Sequence, residues 1–265
     1  MLSDITLGQY FPGHSWLHKL DPRTKLIATL FYISSIFTAE SLFSYALVAL
    51  FAVFCCLLSK VPVKILIKSV RPLWVIIVLT LGIHLFFTPG TLLFQLGPIQ
   101  ISWEGMRMGI FMSLRLVLLI LFSSLLTLTT SPIALTDGIE RLLRPFKVLG
   151  IPAHELAMMM TIALRFIPTL LEETERIMKA QMARGAEFSS GSLIARAKNL
   201  VPLLVPLFIS AFRRADELAT AMEARCYRGG EGRTRMKELF FTGRDWIGLA
   251  VILIFCGSLV YLRLF

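Results

Sequence analysis

The chain has 265 residues, 56% of them hydrophobic and only 17% charged, with a formal net charge of +10 and a mean hydropathy of +0.74. Soluble domains carry about 45–50% apolar and about 25% charged residues, so this composition excludes an ordinary soluble domain and indicates a membrane protein. In such a chain the distribution of positive charge carries more information than its total, and no nucleic-acid partner is expected.

In chain order, residues 1–20 mix Asp4, His14, His18 and Lys19 with apolar positions. They lack the layout of a cleavable signal peptide, so the mature chain is expected to start at Met1. A helix needs about 20 mostly apolar residues to cross the hydrocarbon core. The uncharged runs predict five spans, near 26–40, 41–59, 72–88, 107–130 and 245–262. The first is short, and Lys25 is expected to lengthen it by snorkelling. "TPG" at 88–90 ends the third. Gly105 and Gly109 form a GxxxG at the entrance to the fourth, a helix-packing signal. Arg115 lies inside that span and is expected to pair with backbone carbonyls or a polar partner.

Segment 131–244 is long, only half polar, and holds seventeen Lys and Arg. With the N-terminus inside, twenty-four basic residues fall on the inner side and Arg263 alone outside. The positive-inside rule therefore predicts a cytoplasmic N-terminus and an extracellular C-terminus. The expected organisation is an N-terminal transmembrane region (1–130), a cytoplasmic or interfacial region (131–244) and a C-terminal transmembrane helix (245–265). Within 130–152, Ser131 reads as an N-cap and Pro132 as the first helical position, with Gly150 and Pro152 as stops. Its apolar residues and Arg141, Arg144 and Lys147 suggest an interfacial amphipathic helix. In "NLVPLLVPLFISAF" (199–212), Pro202 and Pro206 are expected to break the helical ladder.

Two stretches read Ala-x-x-Ala-Arg followed by a small residue: "AQMARG" and "AMEARC". In the first, Glu172–Arg176 and Glu175–Lys179 are i,i+4 pairs, and Gly185 is a natural terminator for a helix that presents Arg184. In the second, Ala211, Ala215 and Ala219 form a small-residue stripe suited to a close helix crossing, and Arg225 lies in the last turn. Two readings remain open on spacing alone. Cations favour helix C-termini. Alternatively, small neighbours free the guanidinium to enter a groove on another protein and bond to a carboxylate or to carbonyls.

Catalytic signals are weak. No Walker A sequence occurs, and "HELAM" (154–158) lacks the second histidine of a zinc site. Cys55 and Cys56 are adjacent, while Cys226 and Cys256 show no metal-ligand spacing. Apart from Arg115 the spans have no charge near their centres, which disfavours self-energised transport. A lipid-modifying enzyme would need a cluster of acids, histidines or metal ligands, and Glu172, Glu173 and Glu175 already have basic neighbours.

"LDPRTKL" (20–26), "LTTSP" (128–132), "RFIP" (165–168), "MARG" (182–185) and "EARCYRGG" (223–230) together resemble the transmembrane T component of energy-coupling factor (ECF) transporters. The resemblance spans essentially the whole chain. It implies an all-α membrane protein of about five transmembrane helices, with two long cytoplasmic coupling helices crossing as a pair. It implies that Ala183, Arg184 and Gly185, and likewise Ala224, Arg225 and Cys226, dock on two ABC-type ATPase subunits. ATP would be bound by those partners, so no cofactor and no catalysis are expected in this chain. It further implies a small membrane-embedded S component that binds a vitamin or other micronutrient, contacted around Pro168, Pro202 and Pro206. Cys226 departs from the Gly or Ser often found after the second arginine, which leaves open whether Cys226 or Gly229 ends that helix. The alternative is a permease subunit of a conventional ABC importer, although two arginine-tipped helices in one chain favour the ECF reading.

Overall fold

The computed structural model describes residues 10–96, 99–150, 152–186, 188, 192–229 and 239–264. Asp4, Gly230, Arg233, Arg235 and Lys237 of the sequence reading lie outside the described residues. The chain divides into two compact units, one from Gly8–Gly138 and Lys237–Phe265, the other chiefly from Ile139–Met236.

The first unit begins with α1 (Pro22–Thr38) and α2 (Leu42–Ser59). Asp21 caps α1 by accepting from the Arg23 N–H at 2.8 Å, and Pro22 supplies the preset first-turn dihedral. The same segment fastens α1 to α9 (Gly243–Leu264). The Asp21 N–H donates to Asp245 Oδ1 at 2.7 Å, and Thr242 donates to Asp245 Oδ2 from both its N–H and its hydroxyl. The Arg23 guanidinium donates to Leu239 O at 2.9 Å and lies 4.6 Å from the Phe241 ring centre. The "DPR" stretch is thus the joint between the first and last helices.

After α2 come α3 (Val63–Val70), a 3-10 turn at Arg71–Leu73, and α4 (Trp74–Phe87). Lys64 and Lys68, between the second and third predicted spans, lie on a helix that leads into the apolar run. α4 leads to a hairpin of β1 (Leu92–Leu96) and β2 (Ile99–Ser102), paired antiparallel with Leu96 opposite Ile99. The hairpin was not foreseen. Its alternation is short, and an uncharged run of this kind fits a buried helix as well as a strand. Ser102 then caps α5 (Trp103–Thr129), accepting from the Gly105 N–H at 3.0 Å while donating to Thr88 O at 2.6 Å. Gly105 and Gly109 press α5 onto the α4 backbone. A Cβ at Gly105 would stand 2.5 Å from His84 O, and one at Gly109 would stand 3.2 Å from Leu81 O.

The core is aromatic. Tyr32 stacks on Phe122 with ring centres 3.8 Å apart, Phe51 on Phe255 at 4.2 Å, and Tyr45 on Phe111 at 4.8 Å. These rings tie α1, α2, α5 and α9 together around Ile36, Val48, Ile252 and Leu259. Arg115 donates to Ala39 O at 3.3 Å, beyond the end of α1, and lies over Phe37 and Tyr45, so it serves a helix end as expected.

Lys25 departs from expectation. It is buried and does not snorkel: its ammonium donates to Thr129 O at 2.8 Å, Thr130 Oγ1 at 3.2 Å and His18 O at 3.4 Å. The terminal carbonyls of α5 offer a cation fixed partners that a route to water would forfeit. Phe11 N–H meets the neighbouring Leu128 O at 2.9 Å. Ser131 then caps α6 (Pro132–Leu143), accepting from the Ala134 N–H at 3.3 Å. "LTTSP" is accordingly the junction at which one helix ends and the next begins.

Among the described residues, five helices are long and apolar enough to cross a membrane: Leu42–Ser59, Val63–Phe87, Trp103–Thr129, Ala153–Ala183 and Gly243–Leu264. The number matches expectation, but membership differs. α1 stops at Thr38 after 17 residues, and the 31-residue helix from Ala153 joins on length and composition.

Candidate functional site

The second unit is dominated by α7 (Ala153–Ala183) and α8 (Leu193–Ala224), which pack against each other. Pro168 lies inside α7, and Pro202 and Pro206 lie inside α8, so α8 continues where the sequence predicts breaks. A helical proline withholds its own N–H and leaves the carbonyl four residues earlier without a partner. For Pro206 that carbonyl is Pro202 O, and Gln181 of α7 donates to it from Nε2 at 3.4 Å. The proline thus creates an acceptor that the partner helix uses. No sequence pattern links Gln181 to position 202.

An ion pair between Glu173 and Arg214, at 3.6 Å, also joins the two helices. Along α7 itself, neither of the expected pairs, Glu172–Arg176 and Glu175–Lys179, closes among the described residues. Exposed pairs contribute only about 0–1 kcal/mol, too little to hold two long side chains in one geometry. The alanine stripe does not form a close crossing either. Ala215 and Ala219 are exposed, and among the described side chains of α8 the buried one is Leu203.

Glu173 precedes Gln181 on α7, whereas Arg214 follows Pro202 on α8, so the helices run in opposite directions where they touch. Their C-terminal tips therefore lie toward opposite ends of the pair. Arg184 is one turn beyond Gln181, and Arg225 is roughly 34 Å of helix beyond Pro202.

The two tips share one geometry. In α7, Arg184 is the C-cap and Gly185 is left-handed at φ +88°. The Gly185 N–H donates to Met182 O at 3.0 Å and the Ala186 N–H to Gln181 O at 3.0 Å. In α8, Arg225 takes the same place and Cys226 is left-handed at φ +55°. The Cys226 N–H donates to Glu223 O at 2.9 Å and the Tyr227 N–H to Met222 O at 3.0 Å. Both are Schellman motifs. The open question about the second tip is thereby resolved: the left-handed residue that closes the α8 cap is Cys226, and Gly229, also left-handed, lies beyond the cap.

Ala183, Arg184, Gly185, Ala224, Arg225 and Cys226 are all exposed. Among the described residues neither guanidinium has a hydrogen-bond or ion-pair partner. At each tip, backbone N–H groups already occupy two of the terminal carbonyls, which reduces what the arginine could do as a cap. Pro168 and Pro202 are exposed and Pro206 is half-buried. On α8, Val201, Val205, Phe208 and Phe212 form an exposed apolar stripe at helical spacing.

Among the described residues no three His, Cys, Asp or Glu side chains gather as a metal site. His154 of "HELAM" pairs with Glu140 at 3.1 Å.

Comparison with known proteins matches residues 13–236 to the sequence model of the CbiQ family, described as cobalt transport protein. The energy-coupling factor transporter transmembrane protein EcfT of Acidaminococcus fermentans is 62% identical over 263 residues, 99% of this chain and 98% of that protein. The protein of that name from Thermosediminibacter oceani is 56% identical over 98% of both chains. That from Bacillus subtilis is 50% identical over 99% of this chain and all of that protein. The chain belongs to the CbiQ cobalt transport protein family, alongside these energy-coupling factor transporter transmembrane proteins.

Proposed function

We propose that this chain is the non-catalytic coupling subunit of an ECF-type ABC importer for a vitamin or other micronutrient. Arg184, with Ala183 and Gly185, enters a groove on one ABC-type ATPase, and Arg225, with Ala224 and Cys226, enters a groove on a second. ATP binds to those partners. The observation that carries the reading is the pair of matching caps, each presenting an unpartnered, exposed arginine at one end of an antiparallel helix pair. Guanidinium groups pair well with carboxylates and carbonyls, and small flanking residues let a helix tip enter a groove. Movement of the ATPases would then carry α7 and α8 as rigid levers. The exposed apolar stripe of α8, together with Pro168, Pro202 and Pro206, is the proposed surface for a substrate-binding S component. The charge asymmetry of the sequence supports a cytoplasmic N-terminus and an extracellular C-terminus.

The test is affinity purification of tagged wild-type and Arg184→Ala/Arg225→Ala protein from native membranes, paired with an uptake assay. Two ABC-type ATPases and a small membrane protein should accompany the wild type. The ATPases should be lost, and uptake abolished, in the double variant while the chain still inserts. Normal uptake by the double variant would sink the docking mechanism.

A further inference from the structure

A cavity of about 380 Å³ opens in the first unit between α1, α2, α5 and α9, within the size range of small-molecule sites, roughly 300–1,000 Å³. Its floor is formed by core residues Phe122, Leu125 and Ile252, all buried, and its rim by Phe54, Ile247 and Val251, all exposed. The cleft is therefore closed at one end and open at the surface, and these six residues offer only hydrocarbon; of the polar residues that also line it, Thr29 and Thr129 donate their hydroxyls to Lys25 O and Leu125 O, which leaves the Thr24 hydroxyl.

Lys25 is the charged residue of the lining, but its ammonium is already committed to Thr129 O, Thr130 Oγ1 and His18 O. Among the described residues no free cation of the lining is left to hold an anionic group inside. Water is a poor occupant because it needs two to four polar partners. Leaving the space empty would forfeit dispersion contacts along its length. Three of the four walls, α2, α5 and α9, are helices long and apolar enough to span a membrane, so the medium facing the rim is lipid.

We infer that this cleft holds one acyl chain of a membrane glycerophospholipid, inserted lengthwise with its headgroup left outside. The chain completes the packing between the aromatic core and the Asp21–Asp245 joint of α1 and α9. Trp16 also lines the cleft, giving it an intrinsic reporter.

The experiment uses the full chain reconstituted with a phosphatidylglycerol that carries a photoactivatable diazirine near its acyl terminus. A diazirine fatty acid and a headgroup-labelled phosphatidylglycerol are run in parallel. Crosslinked peptides are mapped by mass spectrometry in wild type and in Gly248→Leu, which fills the cleft. A Cβ at Gly248 meets only ordinary contacts, the nearest at 3.6 Å, so the helix backbone tolerates the change. The acyl-labelled phospholipid should mark Trp16, Phe122 or Val251, the headgroup probe should not, and labelling should fall at least fivefold in Gly248→Leu.

An equal yield in wild type and Gly248→Leu, with the variant still folded by its melting temperature, would overturn the assignment. So would preferential labelling by the free fatty acid, or acyl-probe labelling confined to residues outside the cleft. A milder filler, Ala28→Leu, guards against misfolding of the first variant. It should reduce labelling in the same direction.

Discussion

Cys226 occupies a backbone conformation that suits glycine, whereas the equivalent position in α7 is Gly185. A left-handed residue with a Cβ is strained by about 1–2 kcal/mol. Exchanging the two residue types should therefore move the two caps in opposite directions. Cys226→Gly removes the strain at the α8 tip, and Gly185→Cys introduces it at the α7 tip. Because 1–2 kcal/mol corresponds to a factor of about 5–30 in an equilibrium constant, local opening should change by that factor. The relevant amides are those that close each motif, on Cys226 and Tyr227 at one tip and on Gly185 and Ala186 at the other. Hydrogen exchange followed by mass spectrometry reads them directly. Exchange should slow about 5–30-fold at the α8 tip in Cys226→Gly and quicken by a similar factor at the α7 tip in Gly185→Cys. If both variants exchange like wild type, the left-handed caps do not set the tips, and the shared geometry loses its meaning.

Two further outcomes are expected. Gly105→Leu should destabilise the chain by about 1–3 kcal/mol through overpacking, because a Cβ there meets His84 O at 2.5 Å and Ser102 Oγ at 2.7 Å; a melting temperature equal to that of wild type in detergent would refute the contact. Burial holds the His18 imidazole below its ordinary value of 6.5, against the opposing bond of its Nε2 with Phe11 O, and the nearby Lys25 charge adds to the lowering. The unfolded chain therefore takes up this proton first. The stability His18 provides is complete above about pH 6.5 and is lost as the pH falls through its lower folded value. A pH series of melting temperatures should show this dependence in wild type and a weaker one in His18→Gln, and identical profiles would count against it.

The sequence alone carries the membrane class and the two arginine tips, because each rests on local composition or on short spacing. Uncharged runs report a hydrocarbon environment directly, and Ala-Arg-small at a helix end needs no distant partner to be recognised. Ser131 announces itself as a cap for the same reason. What tertiary structure decided depends on groups far apart in the chain. Lys25 turned inward because the end of α5 presents carbonyls more than a hundred residues away. Pro202 and Pro206 stayed within a helix in which Gln181 of α7 reaches the Pro202 carbonyl that Pro206 leaves free. The alanine stripe of α8 looked like a crossing surface, but Gln181–Pro202 and Glu173–Arg214 set the contact instead. Spacing could show that two helices end in arginine. Only the opposed order of those contacts shows that the arginines stand at opposite ends of the pair, since helix direction at a contact is a relation between two segments and is written in neither.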